Sequence, residues 1–236
     1  PMVETVSQAN DLIKLANDNN LIGVVDHTFL FTGAVMEIKE IVDSGEIGDI
    51  TYFDSVRVNL GLFQHDVDVI WDLAPHDLSI LFHLIEDQPV AVTANGVDHL
   101  NNGLVDVAYL TLHYNSNMIA NFHVNWLSPV KVRKILIGGT KKMIVFDDME
   151  PSEKIKVYDK GIDTETPEEL YKLLVKYRSG DMRAPNISPT EALKLEVSDF
   201  INQIKSRSIN AKNNLLRGRE IVKILESSSK SLNESN

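Results

Sequence analysis

From Ile50 onward, apolar and polar residues alternate in one short segment after another, which is the pattern of β-strands. In the first of these segments, ITYFDSVRVNL, Arg57 and Asn59 fall on the same face, because successive side chains of a strand point to opposite sides. The connectors YNSNM and GGTK have the composition of hairpin turns. The run therefore predicts a mostly antiparallel sheet, whose further strands are PVAVTANGV, VDVAYLTLHY, NMIANFHVNWL, RKILIGG, KMIVFDD and KIKVYDKG.

Helical segments flank this sheet. Apolar residues at helical spacing predict helices over residues 1–20, over GAVMEIKEIVDSGEIGD, from about Asp72 to Ile85, and in two segments near the end of the chain. The apolar run LIGVVDHTFLF, residues 21–31, predicts a buried strand, and PEELYKLLVKYRSG fits either a helix or a strand. These patterns predict an α+β fold, an open, mostly antiparallel β-sheet with helices on one face. The opening helix and strand look like the end of an α/β unit.

The composition excludes several classes of function. The 236 residues suffice for one large domain or two small ones. A formal net charge of −11 argues against nucleic acid or an anionic membrane as the main partner, although a small anionic ligand needs only a local cluster of donors. The absence of cysteine rules out disulfides, cysteine-ligated zinc and cysteine nucleophiles. With no membrane-spanning apolar run and no signal-peptide pattern, we expect a cytoplasmic protein.

Asp72 and His76 lie four residues apart in the segment VIWDLAPHDLSIL. Pro75 is tolerated in the first turn of a helix, so a helix is expected to begin close to this pair. Asp72 then has two interpretations, which the sequence leaves open. It is an N-cap or first-turn acid favoured by the helix dipole, or it is the partner of His76 in proton transfer, since residues four apart share a helix face. A carboxylate beside an imidazole raises its basicity.

The other polar candidates are less specific. His83 lies on nearly the same helix face as His76, so a metal site is conceivable, but there is no HExxH motif and we expect no metal. His113 and His123 lie on predicted strands and are expected to be packing or surface residues. His27 ends a predicted strand and could be structural or functional. The loop before Asp72 carries the polar residues Gln64, His65, Asp66 and Asp68.

An ordered set of segments resembles the Gfo/Idh/MocA family of NAD(P)-dependent sugar oxidoreductases. The segments are PMVETVSQANDLIKLA, VVDHTFLF, EIKEIVDSGEIGDI, WDLAPHDLSIL, GDMRAPNI and EALKLEVSDFINQI, and together they cover essentially the whole chain. The resemblance implies a Rossmann domain followed by an α/β domain whose open sheet mediates homo-oligomer formation. It also implies NAD or NADP as cofactor, His76 as general acid/base on a sugar hydroxyl, and Asp72 as its assistant or as a substrate ligand.

The stretch RVNLGLFQHDVDVIWDLAPHD is similar to members that act on nucleotide sugars, including UDP-N-acetylhexosamine and hexuronate 3-dehydrogenases. In this context Arg57, Asn59 and Gln64 are candidate substrate-binding residues, because an arginine suits a phosphate or carboxylate. A solvated strand face is the alternative for Arg57 and Asn59. His27 is a candidate cofactor-binding residue. Trp126, Lys131 and Arg133 are weaker candidates, with structural or interface roles expected.

The chain also departs from the family pattern. Pro1 aligns with the proline of a Glu-Lys-Pro motif whose lysine is absent, and no GxGxxG turn occurs to hold a pyrophosphate. We therefore expect residues 1–31 to be the end of a Rossmann domain and residues 32–236 to be a substrate-binding and oligomerisation domain, inactive alone. A redox-neutral glycoside cleavage and a non-redox carbohydrate-binding or oligomerisation module remain open alternatives.

Overall fold

The computed structural model describes residues 1–61, 64–159, 161–163, 176–178, 180–210 and 212–235. Besides a 3₁₀ helix at Thr28–Phe31, its helices are α1 (Val6–Asp18), α2 (Gly33–Asp43), α3 (Val69–Leu84), α4 (Ala192–Ser206) and α5 (Leu215–Ser235). Its strands are β1 (Ile50–Leu60), β2 (Ala91–Val97), β3 (Val107–His113), β4 (Ile119–Asn125), β5 (Leu127–Gly139), β6 (Met143–Asp147), β7 (Ile155–Tyr158), β8 (Gly161–Asp163), β9 (Lys176–Arg178) and β10 (Met182–Arg183).

The predicted sheet is confirmed. Eight strands form an open sheet in the order β10-β7-β6-β5-β1-β4-β3-β2, and β8 and β9 form a separate pair. Within the large sheet β1 pairs in parallel with β4, while the other pairings are antiparallel. The central strand β1 thus lies between β4 and β5, which places its residues next to both.

The core lies between one face of this sheet and the helices, as predicted for an α+β fold. Phe53 of β1 and Phe122 of β4 are buried against each other, with ring centroids 5.7 Å apart. α3 packs on the same face and buries Leu78 and Leu81 completely. Burying such a side chain contributes roughly 1.5–3 kcal/mol. The opposite face carries His123, which stacks on Tyr109 at 4.4 Å, and His113, whose Nε2 lies 3.3 Å from the Thr93 hydroxyl.

α3 begins earlier than the sequence predicted. Asp68 is its N-cap, and the carboxylate accepts hydrogen bonds from the backbone N–H groups of Ile70 and Trp71 at 2.9 and 3.0 Å. Pro75 therefore lies inside the helix and not in its first turn, so the predicted start was wrong. Pro75 costs one backbone hydrogen bond. The Asp68 cap and the complete burial of Val69 and Ile70 offset this cost.

The prediction of a buried strand over residues 21–31 is also wrong. Only Val24 forms an isolated bridge, to Asn214, and the N–H of Val25 donates to the Asn213 carbonyl at 2.8 Å. A strand needs a partner along its length, and the described chain offers one only at this point. Leu30 and Phe31 are buried through a 3₁₀ turn instead. Most of the ambiguous segment 167–180 lies outside the described residues, although Lys176–Arg178 forms β9.

No helix in the described part of the chain is long and apolar enough to cross a membrane.

Candidate functional site

A cavity of about 420 Å³ opens where the N-terminal half of α3 meets the first residues of the chain. The segment before the 3₁₀ helix forms the facing wall. This arrangement brings the predicted pair and the predicted cofactor residue into one place, with walls that include Pro1, Asp26, His27, Trp71, Asp72 and His76.

The His76 imidazole is exposed towards this cavity. The surrounding protein still excludes enough water to disfavour its charged form. Desolvation is the main cause that lowers its pKa to about 4, and the Arg57 charge acts in the same direction. Asp77 and Asp72 partly oppose the shift by favouring the protonated form. At neutral pH His76 is therefore an uncharged imidazole, which is able to accept a proton from a hydroxyl group.

The side chain of Asp72 is held by a residue of the sheet. Its Oδ2 accepts a hydrogen bond of 2.9 Å from the indole Nε1 of Trp126, which is buried at the junction of β4 and β5. Asp68 is the N-cap of α3, and Asp72 is an acid of its first turn, as one of the two interpretations of the sequence allowed. The structure gives no hydrogen bond between the described side chains of Asp72 and His76. Their coupling is electrostatic, with the Asp72 carboxylate raising the pKa of His76 against the effect of burial.

The Arg57 guanidinium is held by a carboxylate of α3. Its Nε and Nη2 donate to the two carboxylate oxygens of Asp77 at 3.0 and 2.5 Å, and the Ser55 hydroxyl donates to Asp77 Oδ2 at 2.6 Å. Arg57 and Asp77 are 3% and 2% exposed, so this is a buried bidentate pair. The solvated strand face considered for Arg57 is therefore excluded, whereas its contact with a substrate stays a prediction.

Phe29 connects this ion pair to His76. The Arg57 guanidinium carbon lies 4.7 Å from the centroid of the Phe29 ring. The same ring meets His76 edge-on, with centroids 5.5 Å apart and an interplanar angle of 61°. Arg57 can therefore fix the position of His76 through Phe29 without touching a ligand.

His27 lies across the cavity from α3 and is almost fully buried. Its backbone N–H donates to Glu196 Oε1 at 3.1 Å, whereas its ring Nε2 is buried without a hydrogen-bond partner. Desolvation lowers the pKa of His27 to about 4, helped by His76 and opposed by Asp26. Burial and the neighbouring Asp26 carboxylate raise the pKa of Glu196 to about 7. An unpartnered ring nitrogen on a cavity wall is a position where a ligand group would restore a hydrogen bond.

Asn59 and Gln64 occupy less defined positions. Asn59 shares the face of Arg57, as predicted, and packs near Gly61 and Trp126, where a Cβ on Gly61 would come within 2.9 Å of the Asn59 amide nitrogen. Gln64 is half-buried in the loop that leads to α3. Neither side chain makes a hydrogen bond to another described residue.

The second histidine of α3 does not belong to this site. Desolvation lowers the pKa of His83 to about 4, and the cations Lys39, Lys212 and Arg217 contribute to the shift. Such surroundings disfavour a metal ion. Within the described ranges, no three His, Asp or Glu side chains are grouped so as to hold a metal.

Asp77, Phe29 and Trp126 are the neighbours that sequence reasoning missed or ranked low. A signal for Asp77 was present, because it falls on the apolar face of α3 with Ala74, Leu81 and Leu84 at helical spacing. A charge on a buried face requires a counter-ion. Phe29 and Trp126 gave no such signal, since aromatic residues in apolar runs are usually core.

Comparison with known proteins places part of this chain in a known domain family. Residues 35–145, which run from the first turn of α2 through β1, α3 and β2 to β5 into β6, match the GFO/IDH/MocA C-terminal domain. Over 207 residues the chain is 23% identical to UDP-N-acetylglucosamine 3-dehydrogenase of Acidithiobacillus ferrooxidans, covering 86% of this chain and 60% of that protein. The chain therefore spans less than two thirds of the length of this curated relative.

Solved structures show the same fold. A structure of the A. ferrooxidans enzyme superposes with a TM-score of 0.77 at 21% identity, over 99% of this chain and 70% of that one. An aldose-aldose oxidoreductase from Caulobacter crescentus, complexed with glycerol, gives 0.80 at 14%, over 100% and 69%. An oxidoreductase from Agrobacterium radiobacter in complex with NAD+, L-tartaric acid and magnesium gives 0.76 at 14%, over 100% and 70%. Residues 35–145 thus form a GFO/IDH/MocA C-terminal domain.

Proposed function

We propose that this chain carries the substrate half of the active site of an NAD(P)-dependent sugar or nucleotide-sugar dehydrogenase. The observation that carries the proposal is the uncharged His76, which faces a cavity shared with His27 and with an Asp72 held by Trp126. A perturbed histidine in a cleft beside an oriented carboxylate is a usual composition for acid–base chemistry.

In this proposal His76 accepts the proton of the sugar hydroxyl that is oxidised. NAD(P), when bound, supplies the acceptor for the hydride that leaves the same carbon. The imidazolium formed on His76 is stabilised by the negative charges of Asp72 and Asp77, which favour the protonated form. Trp126 keeps the Asp72 carboxylate in place through its 2.9 Å hydrogen bond. The carboxylate therefore does not have to move when His76 takes up the proton.

The residues around the cavity supply only part of a cofactor site. The unpartnered Nε2 of His27 fits a hydroxyl or amide group of a cofactor or substrate. The sequence has no glycine-rich turn for a pyrophosphate. We therefore propose residues 1–31 as the end of a nucleotide-binding domain and 32–236 as the substrate domain, with the chain alone inactive. Pro1 on the cavity wall supports this assignment, because the family resemblance places a lysine directly before it.

An exposed apolar surface supports the same domain assignment. α4 buries its polar residues Glu196 and Gln203. An apolar stripe on the same helix remains 43% to 50% exposed and consists of Leu193, Val197, Ile201 and Ile204. Leu12 and Leu15 of α1 are exposed as well. Apolar surface of this kind normally packs against another part of a protein. We propose that the rest of the nucleotide-binding domain covers it.

We further propose a nucleotide-sugar substrate and a homo-oligomer formed through the free face of the sheet. The A. ferrooxidans relative, a UDP-N-acetylglucosamine 3-dehydrogenase, supports the first. Exposed apolar residues on that face, among them Tyr109, Ile119 and Val97, support the second. The alternative is a carbohydrate-binding or oligomerisation module without redox function, since the cavity beside His76 could hold a sugar without any redox chemistry.

The test is turnover by the protein with any residues that precede Pro1 in its gene. Reduction of NAD or NADP is followed spectroscopically with UDP-N-acetylglucosamine as substrate. His76→Ala should reduce kcat by 10²-fold or more, which is the usual scale for a general base. His113→Ala, on the far face of the sheet, is the matched control and should leave the rate unchanged. Binding of the sugar without any turnover by the wild-type protein would support the module instead.

A further inference from the structure

Arg133 on β5 lies directly opposite Arg57 on β1 in the antiparallel register. Directly opposed residues share a face, so both arginines point to the side of the sheet that α3 covers. Two like charges at such positions destabilise a sheet unless each has an anionic partner. Asp77 provides that partner for Arg57. The question is therefore what neutralises Arg133.

No described residue fully satisfies the Arg133 guanidinium. Its Nε is buried and has no hydrogen-bond partner, and its Nη1 approaches Asp148 Oδ2 only to 3.5 Å. That carboxylate already accepts a hydrogen bond of 3.0 Å from Lys154 Nζ. The Arg133 side chain is 31% exposed, so some of its donors can reach a ligand. Guanidinium groups normally use most of their five N–H donors when they are half-buried.

Arg133 also lies close to His76. Its guanidinium carbon is 5.9 Å from the centroid of Phe29, the ring that meets His76 edge-on at 5.5 Å. One aromatic ring thus separates the partly satisfied Arg133 guanidinium from the imidazole. A hexose with an anionic substituent carries a hydroxyl at one end and a charge at the other, which are the groups that an imidazole and a guanidinium bind.

We propose that Arg133 binds the anionic group of the substrate, a phosphate of a nucleotide sugar or the carboxylate of a uronic acid, while His76 binds the sugar hydroxyl. This inference rests on the proposed function and names the substrate feature that the site selects. It transfers to Arg133 the role that the sequence indicated for Arg57, because Asp77 uses the donors of Arg57 and leaves those of its neighbour available.

The same contact couples binding to chemistry. The Arg133 charge is one of the causes that lower the pKa of His76. An anion bound to Arg133 neutralises this charge and so raises the pKa of His76, making the imidazole a stronger base when an anionic substrate is present. A neutral sugar leaves the base weaker.

The test compares ligand affinities of the natural-length protein by calorimetric titration. The ligands are UDP-N-acetylglucosamine, glucuronate and neutral N-acetylglucosamine, and the variants are Arg133→Gln and Lys134→Gln. Lys134→Gln is the matched control, because this substitution also removes one positive charge, but from the opposite face of the same strand. A circular-dichroism melt verifies that each variant is folded.

Arg133→Gln should weaken binding of the anionic ligand roughly 10- to 100-fold, the scale of a charge-assisted hydrogen bond, and that of N-acetylglucosamine less than about twofold. Lys134→Gln should change neither. Loss confined to UDP-N-acetylglucosamine identifies a phosphate, and loss confined to glucuronate identifies a carboxylate. If a folded Arg133→Gln binds every anionic ligand normally while His76→Ala weakens sugar binding, the inference alone is refuted. If the wild-type protein binds none of the three, the proposed function fails and the inference with it.

Discussion

Replacing Arg57 by methionine should destabilise the protein more than any ordinary surface substitution. Arg57 and Asp77 are 3% and 2% exposed and share two hydrogen bonds, so the variant leaves the Asp77 charge buried without its partner. Breaking a buried pair in this way costs about 3–5 kcal/mol. For a chain of this size that is a fall in Tm of roughly 6–20 °C, at about 2–4 °C per kcal/mol.

A multiple-mutant cycle separates the pair from its packing. In the combined variant Arg57→Met, Asp77→Leu and Ser55→Ala, no polar group is left unpartnered, and most of the lost stability should return, because apolar replacement of a buried pair is often close to neutral. The assay is urea denaturation followed by tryptophan fluorescence. Lys14→Met, in the exposed pair with Asp18, is the control and should cost less than about 1 kcal/mol. A cost below about 1 kcal/mol for Arg57→Met would refute the buried-pair reasoning.

Three further predictions follow from the site. Trp126→Phe keeps the buried ring but removes the hydrogen bond to Asp72, so it should cost about 1 kcal/mol in a denaturation assay and lower kcat more than it raises KM; an unchanged kcat would argue against a role for Asp72. Burial lowers the pKa of His27 from 6.5 to about 4, so between these pH values the unfolded chain binds more protons than the folded one. The free energy of unfolding should therefore fall as the pH drops from about 6.5 to 4. His27→Gln should make Tm depend less steeply on pH in this range, and an unchanged pH dependence would contradict the shift. The pKa of Glu196 is raised from 4.5 to about 7, so ionisation of this carboxyl lowers the free energy of unfolding as the pH rises through that range. Glu196→Gln should therefore have a higher Tm than the wild type at pH 8 but not at pH 4.

The sheet and most helices could be predicted because their signals are local. The alternation in β1 and the helical spacing of α2 follow from which face each element buries. The start of α3 could not be predicted from Pro75, since the Asp68 cap and the burial of Val69 depend on the tertiary structure. Residues 21–31 have a strand-like composition, but a strand also requires a partner, which composition does not reveal.

The site was predictable in part for the same reason. Asp72 and His76 were found because their spacing is fixed within one helix. Asp77 pairs with Arg57 and not with its cross-strand neighbour Arg133, and this choice depends on how α3 packs on the sheet and not on either segment alone. Sequence reasoning therefore identified Arg57 as a candidate residue but could not reveal its pairing with Asp77.

The most direct test of the account is calorimetric titration of the natural-length protein with UDP-N-acetylglucosamine, for the wild type and for His76→Ala. If His76 faces the sugar hydroxyl in the cavity it shares with Asp72 and His27, the substitution should weaken binding about tenfold, the scale of one lost hydrogen bond. Equal affinities for the two proteins would contradict the placement of the substrate at His76.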